Sequence, residues 1–150
     1  RRRLLIVRYE CPPPAKKIGK YTLPDVRQVS LKLMVERFTP VFTLYKELGV
    51  KFGLEAHPTE RAMGDLCSAQ EVVDAFDKAG FAEVFGFNFD ASHLVWQAVD
   101  PIEFIHRFGD RIWSVHIKGV RVTTTPTAAG RLGGHQDFGH PDRGWDFTTA

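Results

Sequence analysis

Cysteine is scarce in this chain: Cys11 and Cys67 are the only two among 150 residues. They stand far apart without metal-type spacing, which argues against a Cys-built zinc site and a disulfide framework. Reduced thiols and a cytoplasmic setting are therefore expected. Long apolar runs are also missing. After Arg1-Arg2-Arg3 only Leu4-Leu5-Ile6-Val7 is continuous, far short of a signal-peptide core or a membrane span. Charge of one sign is not in excess either: the net charge is +2, with much of the basic surplus in Arg1-Arg2-Arg3 and Lys16-Lys17. No basic stripe results, so neither nucleic acid nor membrane is expected as a partner. No methionine opens the chain, and the sequence reads as part of a longer product.

What is present is an ordinary globular composition, 43% hydrophobic and 25% charged, long enough for one domain with a core. The chain is organised around three similar strand ends. They are Lys51-Phe52-Gly53-Leu54-Glu55-Ala56-His57, Phe85-Gly86-Phe87-Asn88-Phe89-Asp90 and Trp113-Ser114-Val115-His116-Ile117-Lys118. Side chains alternate faces along a strand. One face is apolar: Phe52, Leu54 and Ala56; Phe85, Phe87 and Phe89; Trp113, Val115 and Ile117. The other runs from small to polar: Gly53, Glu55 and His57; Gly86, Asn88 and Asp90; Ser114, His116 and Lys118. Burying a carboxylate or imidazole without a partner is costly, so polar groups at matching strand ends point to a site.

The surrounding pattern supplies helices between these strands. Residues 1–24 form a poorly defined lead-in, broken by Cys11-Pro12-Pro13-Pro14. From Asp25 the apolar spacing is helical through Val26, Val29, Leu33, Val35, Phe38, Val41, Phe42, Tyr45 and Leu48. Pro40 either kinks this helix or sits in the first turn of a second helix capped by Thr39. Ser68 with Glu71 reads as a capping box for a helix that buries Ala69, Val72, Val73, Phe76 and Ala79. Ala91 to Gln97 reads as a rim loop. Asp100-Pro101 opens a helix whose buried side is Ile102, Phe104, Ile105 and Phe108. Strand starts recur about every thirty residues, the length of a β–α unit. The fold class is thus α/β, and the polar inner faces favour a partial (β/α) barrel over residues 25–122. Residues 123–150 lack periodicity and read as a rim loop or lid.

Glu55, Asp90 and His116 end three strands, and two carboxylates with an imidazole suit a divalent ion such as Mn²⁺, Mg²⁺, Co²⁺ or Zn²⁺. The bland alternative makes the carboxylates helix caps and His116 a satisfied core histidine. His57 and His93 are placed to bond substrate hydroxyls or metal-bound water. Lys118 can balance a carboxylate or stabilise an oxyanion, and Arg143 can hold an anionic substrate group.

Gly53-Leu54-Glu55-Ala56-His57-Pro58-Thr59-Glu60, the run from Gly86 to Gln97 and Val115-His116-Ile117-Lys118 resemble the sugar phosphate isomerase/epimerase family, the xylose isomerase-like TIM barrels. The segment from Phe138 to Phe147 is similar to the loop that follows in that family. The resemblance implies a Glu, an Asp and a His holding a divalent metal at Glu55, Asp90 and His116, with Glu55 doubling as acid/base and His93 on the substrate side. It implies a metal-dependent isomerase or epimerase of a sugar or sugar-like small molecule. The family's second Glu, on its last strand, has no counterpart here, nor do its first strands, so a partial barrel is expected. Alternatives are an inactive truncated barrel or, less favoured, an endonuclease IV-type phosphodiesterase. Whether copies of the chain form a homo-oligomer is left open.

Overall fold

The computed structural model describes residues 23–57, 63–132 and 136–149. The expected lead-in lies almost wholly outside the described residues, as does much of the loop after His57. The elements run α1 (Leu23–Leu48), β1 (Phe52–Glu55), α2 (Leu66–Lys78), β2 (Phe85–Asp90), α3 (Ala91–Trp96) and α4 (Pro101–Phe108). A 3₁₀ turn (Gly109–Arg111) then leads into β3 (Ile112–His116), followed by β4 (Gly119–Val122) and β5 (Trp145–Thr148). Strands β1, β2 and β3 form a parallel sheet in that order, while β4 and β5 pair antiparallel as a separate ribbon. Parallel strands joined by helices are the wall of a β/α barrel. Three of them make a segment of that wall, and no barrel closes among the described residues.

Helix α1 is continuous, with Pro40 inside it. Of the two expectations for this stretch, the second helix capped by Thr39 does not form. Pro40 has no N–H to offer, and Thr39 Oγ bonds back to the Val35 carbonyl at 2.7 Å beside it. Phe38 and Phe42 flank the proline and both pack on the core, which holds the helix together across it. The core-facing stripe is Phe42, fully buried, with the half-buried Leu31, Met34, Val35, Phe38 and Tyr45. Val29, Leu33, Val41 and Leu48, expected on that stripe, are exposed.

Helix α2 begins earlier than the Ser68 box implies. Asp65 is its N-cap, accepting from the N–H groups of Cys67 and Ser68 at 2.8 and 2.9 Å, and Ser68 is the returning partner of the box. Asp is as good a cap as Ser, and here it stands one turn nearer the start. Val72, Val73 and Phe76 are buried as expected; Ala79 is exposed. Helix α4 starts at Asp100 and Pro101 as read, with Phe104 and Phe108 buried, but Ile102 and Ile105 are exposed. Cys67, expected as a reduced thiol, is disulfide-bonded, which removes the support that reduced thiols gave to a cytoplasmic setting. No described helix is long and apolar enough to cross a membrane.

Strand β3 departs from simple alternation. Phe87 pairs with Ile112 but Asn88 pairs with Ser114, so Trp113 is an extra residue in a bulge. Ile112 takes the core-facing place, and the Trp113 indole lies against Gly86 on the opposite face instead. A Cβ at position 86 would collide with that indole and with the Arg111 carbonyl, which is why a glycine stands there. Trp113 therefore belongs to the inner face, not to the outer set with Val115 and Ile117. The core lies between sheet and helices, built from Phe42, Phe76, Phe85, Phe87 and Phe104 among others.

Residues 123–150 are more than a loop. Trp145-Asp146-Phe147-Thr148 alternates as a strand and pairs with Gly119-Val120-Arg121-Val122. The ribbon packs on α3: Trp145 stacks on Trp96 at 4.6 Å, and Arg131 donates to the Trp96 carbonyl at 2.9 Å.

Candidate functional site

The strand ends converge on one rim, but not at one level. Glu55 pairs in register with Asn88, and Asp90 pairs with His116, so Glu55 lies a pleat below the other two. The stretch Ala91 to Trp96, read as loop, is the short helix α3. Asp90 is its N-cap: Oδ1 accepts from the Ser92 N–H at 2.9 Å and the Ser92 hydroxyl at 2.6 Å. One turn of that helix carries His93 back over the strand ends. The signal for this was present in the Asp-x-Ser start of α3, an Asp cap followed by a hydroxyl.

His93 occupies the centre of the cluster. Its Nε2 lies 3.2 Å from Glu55 Oε1 and 3.6 Å from Asp90 Oδ2. One donor atom from each of Glu55, Asp90 and His93 lies within 4.8 Å of the others, close enough to share one ion. His116 is next: Nδ1 stands 3.5 Å from Glu55 Oε1 and 3.9 Å from Asp90 Oδ2. Asn88 Nδ2 is 3.1 Å from either ring nitrogen of His116. Lys118 places its ammonium 2.7 Å from Asp90 Oδ2 and 3.3 Å from His93 Nε2. His57 packs its ring 4.2 Å from that of His93. Phe147, from β5, sets its ring edge-on to His93 at 5.5 Å and under the Lys118 ammonium at 4.5 Å. Phe147 was not anticipated; the alternation of Trp145 and Phe147 was its only sign.

Electrostatics follow from this packing. Burial pushes the Asp90 carboxyl up, but hydrogen bonds involving Lys118, Ser92 and Glu55 outweigh it and hold the group below the ordinary aspartate value. Asp90 is thus a carboxylate at neutral pH. His93 goes the other way for an imidazole: burial first, then the neighbouring His57, lower it to about 4 despite the Asp90 charge. It stays neutral and keeps a lone pair or an N–H to offer.

A stability prediction arises from that shift. In the unfolded chain His93 takes up its proton near pH 6.5, in the folded chain only near 4. As pH falls from 6.5 to 4 the unfolded state binds more protons, so folding free energy is lost across that window and no further below it. A gap of that size corresponds to about 3 kcal/mol. In chelator, His93→Gln should show a flatter fall of melting temperature between pH 6.5 and 4 than the parent chain. Parallel curves would refute the assignment.

Arg143 is elsewhere. Its guanidinium donates to the carbonyls of Gln136 at 2.6 Å and Trp145 at 3.3 Å, pairs with Asp146 and lies over Phe138. It is buried and ties the tail together; its groups are occupied there, not aimed at the strand ends. Glu55, His57, Asp90, His93, His116 and Lys118 are the residues the fold brings together.

The cluster fits a divalent ion by its own chemistry. Glu55 Oε1 is buried and accepts no hydrogen bond of good geometry among the described residues. Asp90 Oδ2 is buried with only the Lys118 ammonium as a close cation. Two carboxylates and the His93 imidazole gathered within 4.8 Å, with His116 beside them, are a hard-to-borderline donor set.

A family model described as xylose isomerase-like TIM barrel matches residues 9–149 of the chain. An inosose dehydratase of Geobacillus kaustophilus (strain HTA426) is 30% identical over 76 residues, 51% of this chain and 23% of that protein. Inosose dehydratases of two Clostridium perfringens strains are 27% identical over 103 residues, 69% of this chain and 32% of each. The matches span about a quarter to a third of the length of these curated relatives.

Proposed function

The chain belongs to the xylose isomerase-like TIM barrel family, and from that premise we propose that its strand-end cluster is the divalent-metal centre of a sugar-modifying enzyme. The reading is carried by one observation: Glu55, Asp90 and His93 each bring a donor atom within 4.8 Å of the others at the rim of a parallel sheet. Glu55 and Asp90 would hold the ion together with a neighbouring imidazole: His93, which completes the 4.8 Å group, or His116, whose Nδ1 stands 3.5 Å from Glu55 Oε1. A bound ion would polarise adjacent carbonyl and hydroxyl oxygens of a polyhydroxylated substrate and make the neighbouring C–H more acidic.

Glu55 is then the group that accepts the proton from the carbon next to the carbonyl. Its side chain is partly open to the rim, so one carboxylate oxygen can face a substrate while Oε1 faces His93. Neutral His93 donates to or accepts from a substrate hydroxyl, and His57 backs its ring. Lys118 offsets negative charge at the same rim. Returning the proton to the other carbon or the other face gives an isomerase or epimerase. A second outcome is favoured by the named relatives: loss of a hydroxyl from the next carbon after the same first step, which is dehydration.

Deuterium exchange tests the shared step. With Mn²⁺ in D₂O, the proton next to the carbonyl of a ketose or keto-cyclitol should exchange, as read by NMR. Glu55→Gln should slow exchange at least about a hundredfold, the usual weight of a general base. Mn²⁺ bound at Glu55 and Asp90 with no exchange in any such substrate would refute the catalytic reading. Product analysis separates isomerisation from dehydration.

A further inference from the structure

We propose that Lys118 is a tethered cation standing at the divalent-ion position, so that an ion binds by displacing it and Lys118 sets which ions succeed. The inference rests on the metal reading above and goes beyond it to a residue that governs affinity.

Asp90 has one oxygen to give. Oδ1 is engaged twice by Ser92 as the cap of α3, so a cation must use Oδ2. Lys118 Nζ already stands 2.7 Å from that oxygen and 3.3 Å from His93 Nε2. Asp90 and His93 both belong to the group that could share an ion. An ammonium and a divalent ion on the same carboxylate oxygen would lie a few ångströms apart, where like charges repel strongly in a partly buried setting. One of them has to leave. Lys118 can: its side chain is about one-third exposed, and the cation–π contact that Nζ already makes with the Phe147 face at 4.5 Å can be kept as the ammonium turns off Asp90. Without the ion, two carboxylates and one ammonium leave the cluster with one net negative charge; without Lys118 there would be two.

Selectivity follows from what each ion gains. Mg²⁺ prefers oxygen donors and draws little from imidazole, so it competes with Lys118 for a single Asp90 oxygen at a disadvantage. Mn²⁺, Co²⁺ and Zn²⁺ also gain the nitrogens of His93 and His116.

The test is calorimetric titration of Mn²⁺ and of Mg²⁺ into the parent chain, Lys118→Met and Lys118→Gln, with melting curves in chelator. Removing the ammonium should tighten Mn²⁺ and Mg²⁺ binding by a similar factor of at least about ten, because both ions displace the same group, and lower the metal-free melting temperature. A lysine with only a structural role would instead lose stability and metal affinity together. Unchanged or weaker Mn²⁺ binding in folded variants overturns the inference while leaving the metal reading intact. If parent and variants all bind no ion, the metal reading itself fails. Should neither variant melt cooperatively, Zn²⁺ titration of the parent chain carrying ¹³Cε-lysine decides by NMR. The Lys118 resonance must shift at saturation, and a fixed resonance overturns the displacement.

Discussion

Asp90→Asn is expected to leave the chain folded and to weaken Mn²⁺ binding at least about a hundredfold. Oδ1 of the asparagine can still accept from the Ser92 N–H and hydroxyl, so the start of α3 keeps its cap and His93 keeps its place. What disappears is the anionic oxygen that faces Lys118, His93 and His116, an amide NH₂ group taking its place. A neutral amide is a much poorer partner for a hard cation than a carboxylate. Asp90→Ala should be worse in a second way. It removes the cap as well, which costs about 1–2 kcal/mol of stability, and it loosens the helix that positions His93. Comparing the two by calorimetry and thermal melting separates charge from scaffold. Mn²⁺ affinity within threefold of the parent in Asp90→Asn would show that the ion binds elsewhere.

Phe42→Ala should destabilise the chain by about 3–5 kcal/mol, the range for a large aromatic removed from a packed core. Phe42 is fully buried, and it is the only buried residue of α1 among the described side chains. Its ring lies 4.9 Å from Phe76, 5.2 Å from both Phe38 and Phe52, and 5.6 Å from Phe81. One side chain thus joins α1 to α2, to β1 and to the turn before β2. The rest of α1 is held by half-buried residues, so no neighbour can close the gap. Leu44→Ala, at a half-exposed position of the same helix, is the control and should change stability by no more than about 0.5 kcal/mol. Denaturant melts of the two variants check the contrast. Similar midpoints would mean that α1 is docked by something other than Phe42.

The sheet was legible in the sequence because its strands repeat one pattern, apolar outside and small-to-polar inside, and that pattern survives in β1 and β2. Strand β3 shows where alternation stops being a guide. A bulge adds one residue at Trp113 and reverses the face of everything before it, and nothing local marks the bulge except the glycine opposite. Glu55, Asp90 and His116 were legible as strand-end residues, but their relative heights depend on stagger between strands, which no single strand encodes. His93 was readable as a rim residue. Its position between the two carboxylates came from α3, a helix too short to show a period. Arg143 stood in a stretch without periodicity, where nothing local showed that the carbonyls of Gln136 and Trp145 and the Asp146 carboxylate would gather around it. In α1 the apolar residues run around more than half the helix, so spacing alone did not select Leu31 and Met34 over Val29 and Leu33. The β4–β5 ribbon pairs residues some twenty-five apart, and long-range pairing leaves little trace in a window of sequence.

Anomalous diffraction from crystals of the chain soaked in Mn²⁺ tests the central claim most directly, because it locates the ion. A single strong peak is predicted between Glu55 Oε1 and Asp90 Oδ2, facing the imidazoles of His116 and His93, with the Lys118 ammonium moved away from Asp90. A map with Mn²⁺ at other carboxylates and nothing between Glu55 and Asp90 would contradict it.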